Sequence, residues 1–113
     1  MNVRDAIRER LILLSQDGCS AEGEITLPPD FPGFQGHFPG FPTLPGVCQI
    51  QIMEEFAELA TGEPFRLRGL SRTKFFSPVQ PGETMRLLLV RSGGQVTMEI
   101  LCGGRRVAKI KGR

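Results

Sequence analysis

The chain has 113 residues, of which 40% are hydrophobic and 23% charged, proportions that suit one globular domain and exclude a disordered or fibrous chain. A formal charge of +2, with eight phenylalanines and no tryptophan or tyrosine, gives neither the charge density nor the usual stacking residues of a nucleic-acid binder. No apolar run approaches the roughly 20 residues of a membrane span, and the opening Met1-Asn2-Val3-Arg4-Asp5 has no apolar signal core, so a cytoplasmic protein without a membrane partner is expected.

Residues 1–16 read as an N-terminal helical segment. Val3, Ile7, Leu11 and Leu14 recur at helical spacing among Arg4, Asp5, Arg8, Glu9 and Arg10. Asp17-Gly18 stops the helix, and Glu24 to Leu27 has strand character before Pro28-Pro29-Asp30 breaks regular structure. Residues 28–45 carry six prolines and three glycines interleaved with Phe31, Phe34, Phe38 and Phe41. That much proline forbids a helix or a sheet ladder, yet four phenylalanines are foreign to a flexible linker. An ordered loop pinned by aromatic anchors is the expectation, and long ordered loops are often functional.

Residues 46–61 form the long helix. Cys48, Ile50, Ile52, Met53, Phe56, Ala57, Leu59 and Ala60 cover most of its circumference, so it should be largely buried. The remaining stripe of Gln51, Glu54, Glu55 and Glu58 is expected to be a solvated face. Gly62 is placed to close the helix in a left-handed cap. Residues 65–111 then supply antiparallel strands, at about 65–76, 83–91, 95–102 and 105–111. They are separated by Pro78-Val79-Gln80-Pro81-Gly82 and by the glycine turns Ser92-Gly93-Gly94 and Gly103-Gly104. One long helix, apolar nearly all round, with an antiparallel sheet indicates an α+β fold, the sheet curled around the helix. A single domain spanning residues 1–113 follows, and its open sheet favours pairing with a second copy.

His37 is the chain's only histidine, which argues against a protein metal site. Held between Gly36 and Pro39-Gly40, an imidazole with a reference pKa near 6.5 suits a general base. Pro45-Gly46-Val47 opens the long helix, whose unpaired N–H groups and positive dipole end can meet an oxygen that is gaining negative charge. Cys19, Cys48 and Cys102 are odd in number and lack CxxC spacing, which argues against disulfides or zinc; Cys48 alone has a context worth following. Arg66, Arg68, Arg72 and Lys74, and again Arg105, Arg106, Lys109 and Lys111, are local basic clusters able to steer an acidic partner.

The run Gly36-His37-Phe38-Pro39-Gly40, followed by Pro42 and Pro45-Gly46-Val47, resembles the 3-hydroxyacyl-acyl-carrier-protein dehydratases, as does Arg72-Thr73-Lys74-Phe75-Phe76-Ser77-Pro78-Val79-Gln80-Pro81-Gly82-Glu83 further on. The resemblance runs from about Asp30 to the C-terminus. It implies a hot-dog fold, a homodimer with active sites at its interface, and removal of water from a (3R)-3-hydroxyacyl thioester in fatty-acid or polyketide-type synthesis. His37 would be the catalytic base, and Gly46 and Val47 would hold the thioester carbonyl, with Phe38 and Glu55 as further substrate contacts. No metal or cofactor is implied. The acyl group would arrive on acyl carrier protein or coenzyme A, an acidic carrier docking at Arg72, Lys74 or the C-terminal basic cluster. Where the family places a catalytic glutamate on the helix, this chain has Gln51, which hydrogen-bonds but cannot exchange a proton at neutral pH. Glu55 lies one turn further on. A non-catalytic acyl-binding or partner subunit and a hot-dog acyl thioesterase are the alternatives.

Overall fold

A computed structural model describes residues 2–35 and 40–113. Its elements in chain order are α1 (Val3–Arg10), β1 (Ile12–Gln16), β2 (Ser20–Thr26), a 3-10 turn (Pro32–Phe34), α2 (Gly46–Thr61), β3 (Leu70–Phe75), β4 (Thr84–Ser92), β5 (Gln95–Cys102) and β6 (Arg105–Gly112). The six strands form one sheet in the order β1-β2-β4-β5-β6-β3, and every pairing is antiparallel. Met85, Leu87 and Leu89 on β4 and Val96, Met98 and Ile100 on β5 send alternate side chains inward. They meet Ile52, Met53, Phe56 and Ala57 of α2, which are 0% exposed. This is the hot-dog architecture, an antiparallel sheet laid along one buried helix.

Close approach of α2 to the sheet depends on one glycine. A Cβ on Gly23 of β2 would lie 2.4 Å from the Phe56 ring and 2.6 Å from the Ile12 carbonyl, so a larger residue would push the central helix away. Gly62 ends α2 in the left-handed conformation at φ 76°, and its N–H donates to the Glu58 carbonyl. Gly93 and Gly94, and likewise Gly103 and Gly104, both have positive φ, as two-residue hairpins with the twist of type I′ turns require.

The N-terminal segment differs from the helical reading. Asn2 caps α1 through the Asp5 N–H, and the helix ends at Arg10. Ile12 to Gln16 then become an edge strand on β2. Leu14, assigned by spacing to the helix, is 45% exposed on that edge; pairing with β2 has overridden the helical period. The strand expected from residue 65 begins at Leu70, because the preceding backbone is turned toward other partners: Leu67 N–H donates to Glu54, and the Arg68 and Gly69 N–H groups donate to the Arg113 carbonyl.

In the proline-rich segment Phe31 and Phe34 are the described anchors. They are 2% and 5% exposed and meet edge to face at 5.7 Å. Phe41, also expected to anchor, is instead 54% exposed. The Leu44 N–H donates to the Val79 carbonyl and the Gly82 N–H to the Leu27 carbonyl, which ties both ends of the loop to the break between β3 and β4. Glu83 closes that break: its carboxylate accepts from the Gln80 N–H and pairs with Arg105 at 3.1 Å.

Candidate functional site

Pro45 precedes α2 with φ −63° and ψ 150°, and no side chain caps the helix. The Cys48 and Gln49 N–H groups donate back to the Pro45 carbonyl. Gly46 and Val47 find no acceptor for theirs among the described residues. Two donors without an acceptor at the positive end of a 16-residue helix can meet an anionic or polarised oxygen. Beside them lies a cleft of about 500 Å³ between Thr43–Gly46 with Gln49 and the stretch Phe75–Pro78. The Phe75 ring covers Gly46 so closely that a Cβ there would lie 2.8 Å from it. Glycine at 46 thus accommodates the ring as well as exposing the backbone.

Gln49 was not singled out by the sequence, and it is the polar side chain built most deeply into this cleft. It is 3% exposed. Its Nε2 donates weakly to the Leu44 carbonyl at 3.4 Å, while its buried Oε1 has no partner among the described residues. The available signal was a lone polar residue inside the otherwise apolar arc of α2. The neighbouring Cys48 is 4% exposed; burial pushes its thiol above the ordinary range, so it behaves as an apolar side chain rather than a nucleophile.

The sequence-predicted residues divide. Gly46 and Val47 border the cleft or open the helix beside it, as just described. His37 and Phe38 lie outside the described residues. Gln51 is half-buried on α2, about 200° around the helix from Gln49 at 100° per residue, so the two glutamines face different sides.

Glu54 and Glu55 are not a solvated stripe. They are 6% and 1% exposed because α1 packs over them. Glu55 accepts from Arg8 Nε at 2.5 Å and from Arg4 Nη1 at 2.9 Å, with Arg66 Nη1 at 3.4 Å. Glu54 accepts from Arg4 Nη2 at 2.8 Å and from the Leu67 N–H at 2.9 Å. Glu58, part exposed, pairs with Arg66. The carboxylates bolt α1 and the backbone before β3 onto the central helix, and the structure does not bring Glu55 into the cleft.

A second feature lies on the outer face of the sheet. Arg72 and Lys74 of β3, with Arg106, Lys109 and Lys111 of β6, surround a groove of about 330 Å³. Arg72 stands opposite Lys111 and Lys74 opposite Lys109, and Arg106 lies over the Phe76 ring at 4.2 Å. None of the five makes an ion pair among the described residues.

An antiparallel sheet laid along one buried central helix, with a cleft at the start of that helix, defines a protein of the hot-dog class. Within it, the chain belongs to the ApeI-like family, described as ApeI dehydratase, whose model matches residues 14–110. It is 35% identical over 83 residues to the 3-hydroxyacyl-[acyl-carrier-protein] dehydratase FabZ of Pelotomaculum thermopropionicum, a match covering 67% of this chain and 59% of that protein. The chain thus spans about three fifths of the length of the curated relatives it matches. Its fold is similar to a chain of the dehydratase heterocomplex ApeI:P from Xenorhabdus doucetiae, with TM-score 0.78 and 25% identity over 92% of this chain and 96% of that one. It also superposes on mouse thioesterase superfamily member 2, with TM-score 0.71 and 16% identity over 98% and 92% of the two chains, a likeness of fold alone. No helix among the described residues is long and apolar enough to cross a membrane.

Proposed function

We propose that this chain is a dehydratase of 3-hydroxyacyl thioesters, yielding the trans-2-enoyl thioester and water. The observation that carries the reading is that the N–H groups of Gly46, which lines the cleft, and of Val47 next to it have no acceptor among the described residues. Their role is to hold the thioester carbonyl oxygen as charge builds on it when the C2–H bond breaks. His37 takes the C2 proton and returns it to the departing C3 hydroxyl, so that one water leaves and the base is regenerated. Gln51, where the family carries a carboxylate, donates an amide N–H to the hydroxyl oxygen.

The proposal includes a homodimer formed through β3. That strand is an open edge with nearly all its residues exposed, and Leu70, Phe75 and Val47 are 48%, 47% and 63% exposed around it and at the start of α2, a combination that invites pairing. The carrier is an acidic acyl carrier protein seated on the basic groove. Like charges facing each other across β3 and β6 cost stability, and an anionic partner relieves that repulsion.

The second reading, a non-catalytic partner subunit, is favoured by one observation. Glu55, the carboxylate one turn beyond Gln51, is engaged by Arg4 and Arg8. The ApeI neighbour, moreover, is a heterocomplex by its description. Incubation with 3-hydroxyacyl and enoyl thioesters of carrier protein and of coenzyme A, with products separated by mass, tests both. Interconversion of the two acyl forms supports the dehydratase; hydrolysis to free acid would replace it with a thioesterase, and unchanged substrate would leave the partner subunit.

A further inference from the structure

We infer that Arg105 is a positioning residue for the cleft: its guanidinium fixes the wall Phe75–Pro78, and with it the alignment of the thioester against the donors at the start of α2. The inference rests on the dehydratase reading and adds to it a residue that does not itself line the cleft. Sequence position groups Arg105 with Arg106, Lys109 and Lys111, but unlike them it does not line the basic groove. Its Nε donates to Ser77 Oγ at 3.1 Å, and its Nη2 donates to the Pro78 carbonyl at 3.0 Å and to the Glu83 carboxylate at 3.1 Å. Ser77 Oγ in turn donates to the Arg106 carbonyl at 2.7 Å. The Arg105 side chain is 43% exposed, so its ion pair with Glu83 is by itself worth little. What matters is that one planar fork holds a side chain and a main-chain carbonyl of the cleft wall together, which an ammonium group cannot reproduce.

Ser77 and Pro78 both line the cleft. In the next residue the Val79 carbonyl accepts from the Leu44 N–H at 2.9 Å, and Leu44 belongs to the opposite wall, two residues before Gly46. Leu44 and Val79 are 2% and 1% exposed, so packing secures that junction. The two walls therefore join at Pro78 and Val79, next to the atoms that Arg105 holds. From there the wall runs back to Phe75, whose ring lies over Gly46. Without Arg105 the wall keeps the Phe76 N–H bond to the Val107 carbonyl at 2.7 Å, so the expected change is a small drift and not a collapse. A misplacement of about 1 Å can cost about 10²-fold in a step that depends on alignment.

The test is steady-state dehydration of (3R)-3-hydroxybutyryl-pantetheine, a neutral thioester that basic surface charge does not attract, by the full chain and by Arg105→Lys and Arg105→Met, with melting temperatures of all three. Both variants should lower kcat by about ten- to a hundredfold with little change in KM, the pattern of an interaction felt in the transition state. Arg105→Lys, which keeps a charge opposite Glu83, should melt close to the parent and still fail to restore turnover. Parental kcat in Arg105→Lys would make charge sufficient and overturn the role of the fork. A rise in KM at unchanged kcat, or a lower melting temperature with kcat intact, would overturn it likewise, and each of these outcomes leaves the dehydratase reading standing. Failure of the parent to dehydrate the thioester would overturn that reading and this inference together.

Discussion

Replacing Glu55 with alanine should destabilise the fold by about 3 kcal/mol, the lower end of the 3–5 kcal/mol lost when one member of a buried ion pair is removed. The lower end applies because the side chain being removed is 0% exposed, whereas its partners Arg4 and Arg8 are 28% and 54% exposed and can return to water. The remaining cost has two parts: the charge-assisted hydrogen bonds from Arg4 Nη1 and Arg8 Nε, and the small void left against α1. For a domain of this size about 1 kcal/mol corresponds to roughly 4 °C, so calorimetry should record a fall of about 12 °C. Glu55→Gln, which keeps acceptors but loses the charge, should fall by less. Adding Arg8→Ala to Glu55→Ala should cost little more, since the partner is already lost. If Glu55→Ala melted within about 2 °C of the parent and lost thioester turnover instead, the carboxylate would be a substrate contact and the ion-cluster account would have to be abandoned.

His37→Ala should lower dehydration by about 10² to 10⁴ in single-turnover rate, and wild-type turnover would remove it from the mechanism. Gln51→Glu should raise turnover of a short 3-hydroxyacyl thioester, since desolvation near the acyl chain favours a protonated acid at that position; lower turnover at unchanged melting would mean that the glutamine itself is the adapted group. Gly23→Ala should cost about 1–3 kcal/mol by overpacking against Phe56, read as a lower urea midpoint at constant slope. Acid should also weaken the fold. The Gln80 N–H and Arg105 hold the Glu83 carboxyl below its ordinary range, so its contribution is fully present above the ordinary carboxylate pKa and is lost as pH falls through the depressed value. Glu83→Gln should flatten that acid limb of the melting profile.

Much of the architecture was legible because it depends on local chemistry. Pro45 and Gly62 bracket α2, glycine pairs mark two hairpins, and the alternation on β5 fixes which face turns inward. The burial of Glu54 and Glu55 was not legible, because their partner Arg4 lies 50 and 51 residues away. A stripe of glutamates on a helical wheel looks the same whether water or arginine covers it. The end of α1 was missed for a related reason: Leu14 fits a helical period, but β2 offers Ile12 to Gln16 a ladder of hydrogen bonds. At the site, the donors at Gly46 and Val47 follow from any proline-initiated helix. The Phe75 ring over Gly46 and the orphaned oxygen of Gln49 required three dimensions.

The central claim is that the free N–H groups at the start of α2 hold the thioester oxygen, and Val47→Pro tests it most directly. Proline in the first helical turn is tolerated and removes only a backbone donor. The Val47 side chain is 63% exposed, so little packing is lost. Dehydration of a 3-hydroxyacyl thioester should fall by about 10² to 10³ in kcat, the cost of one oxyanion donor, with melting temperature unchanged. A variant that melts like the parent and still turns over at the parent's rate would contradict the account.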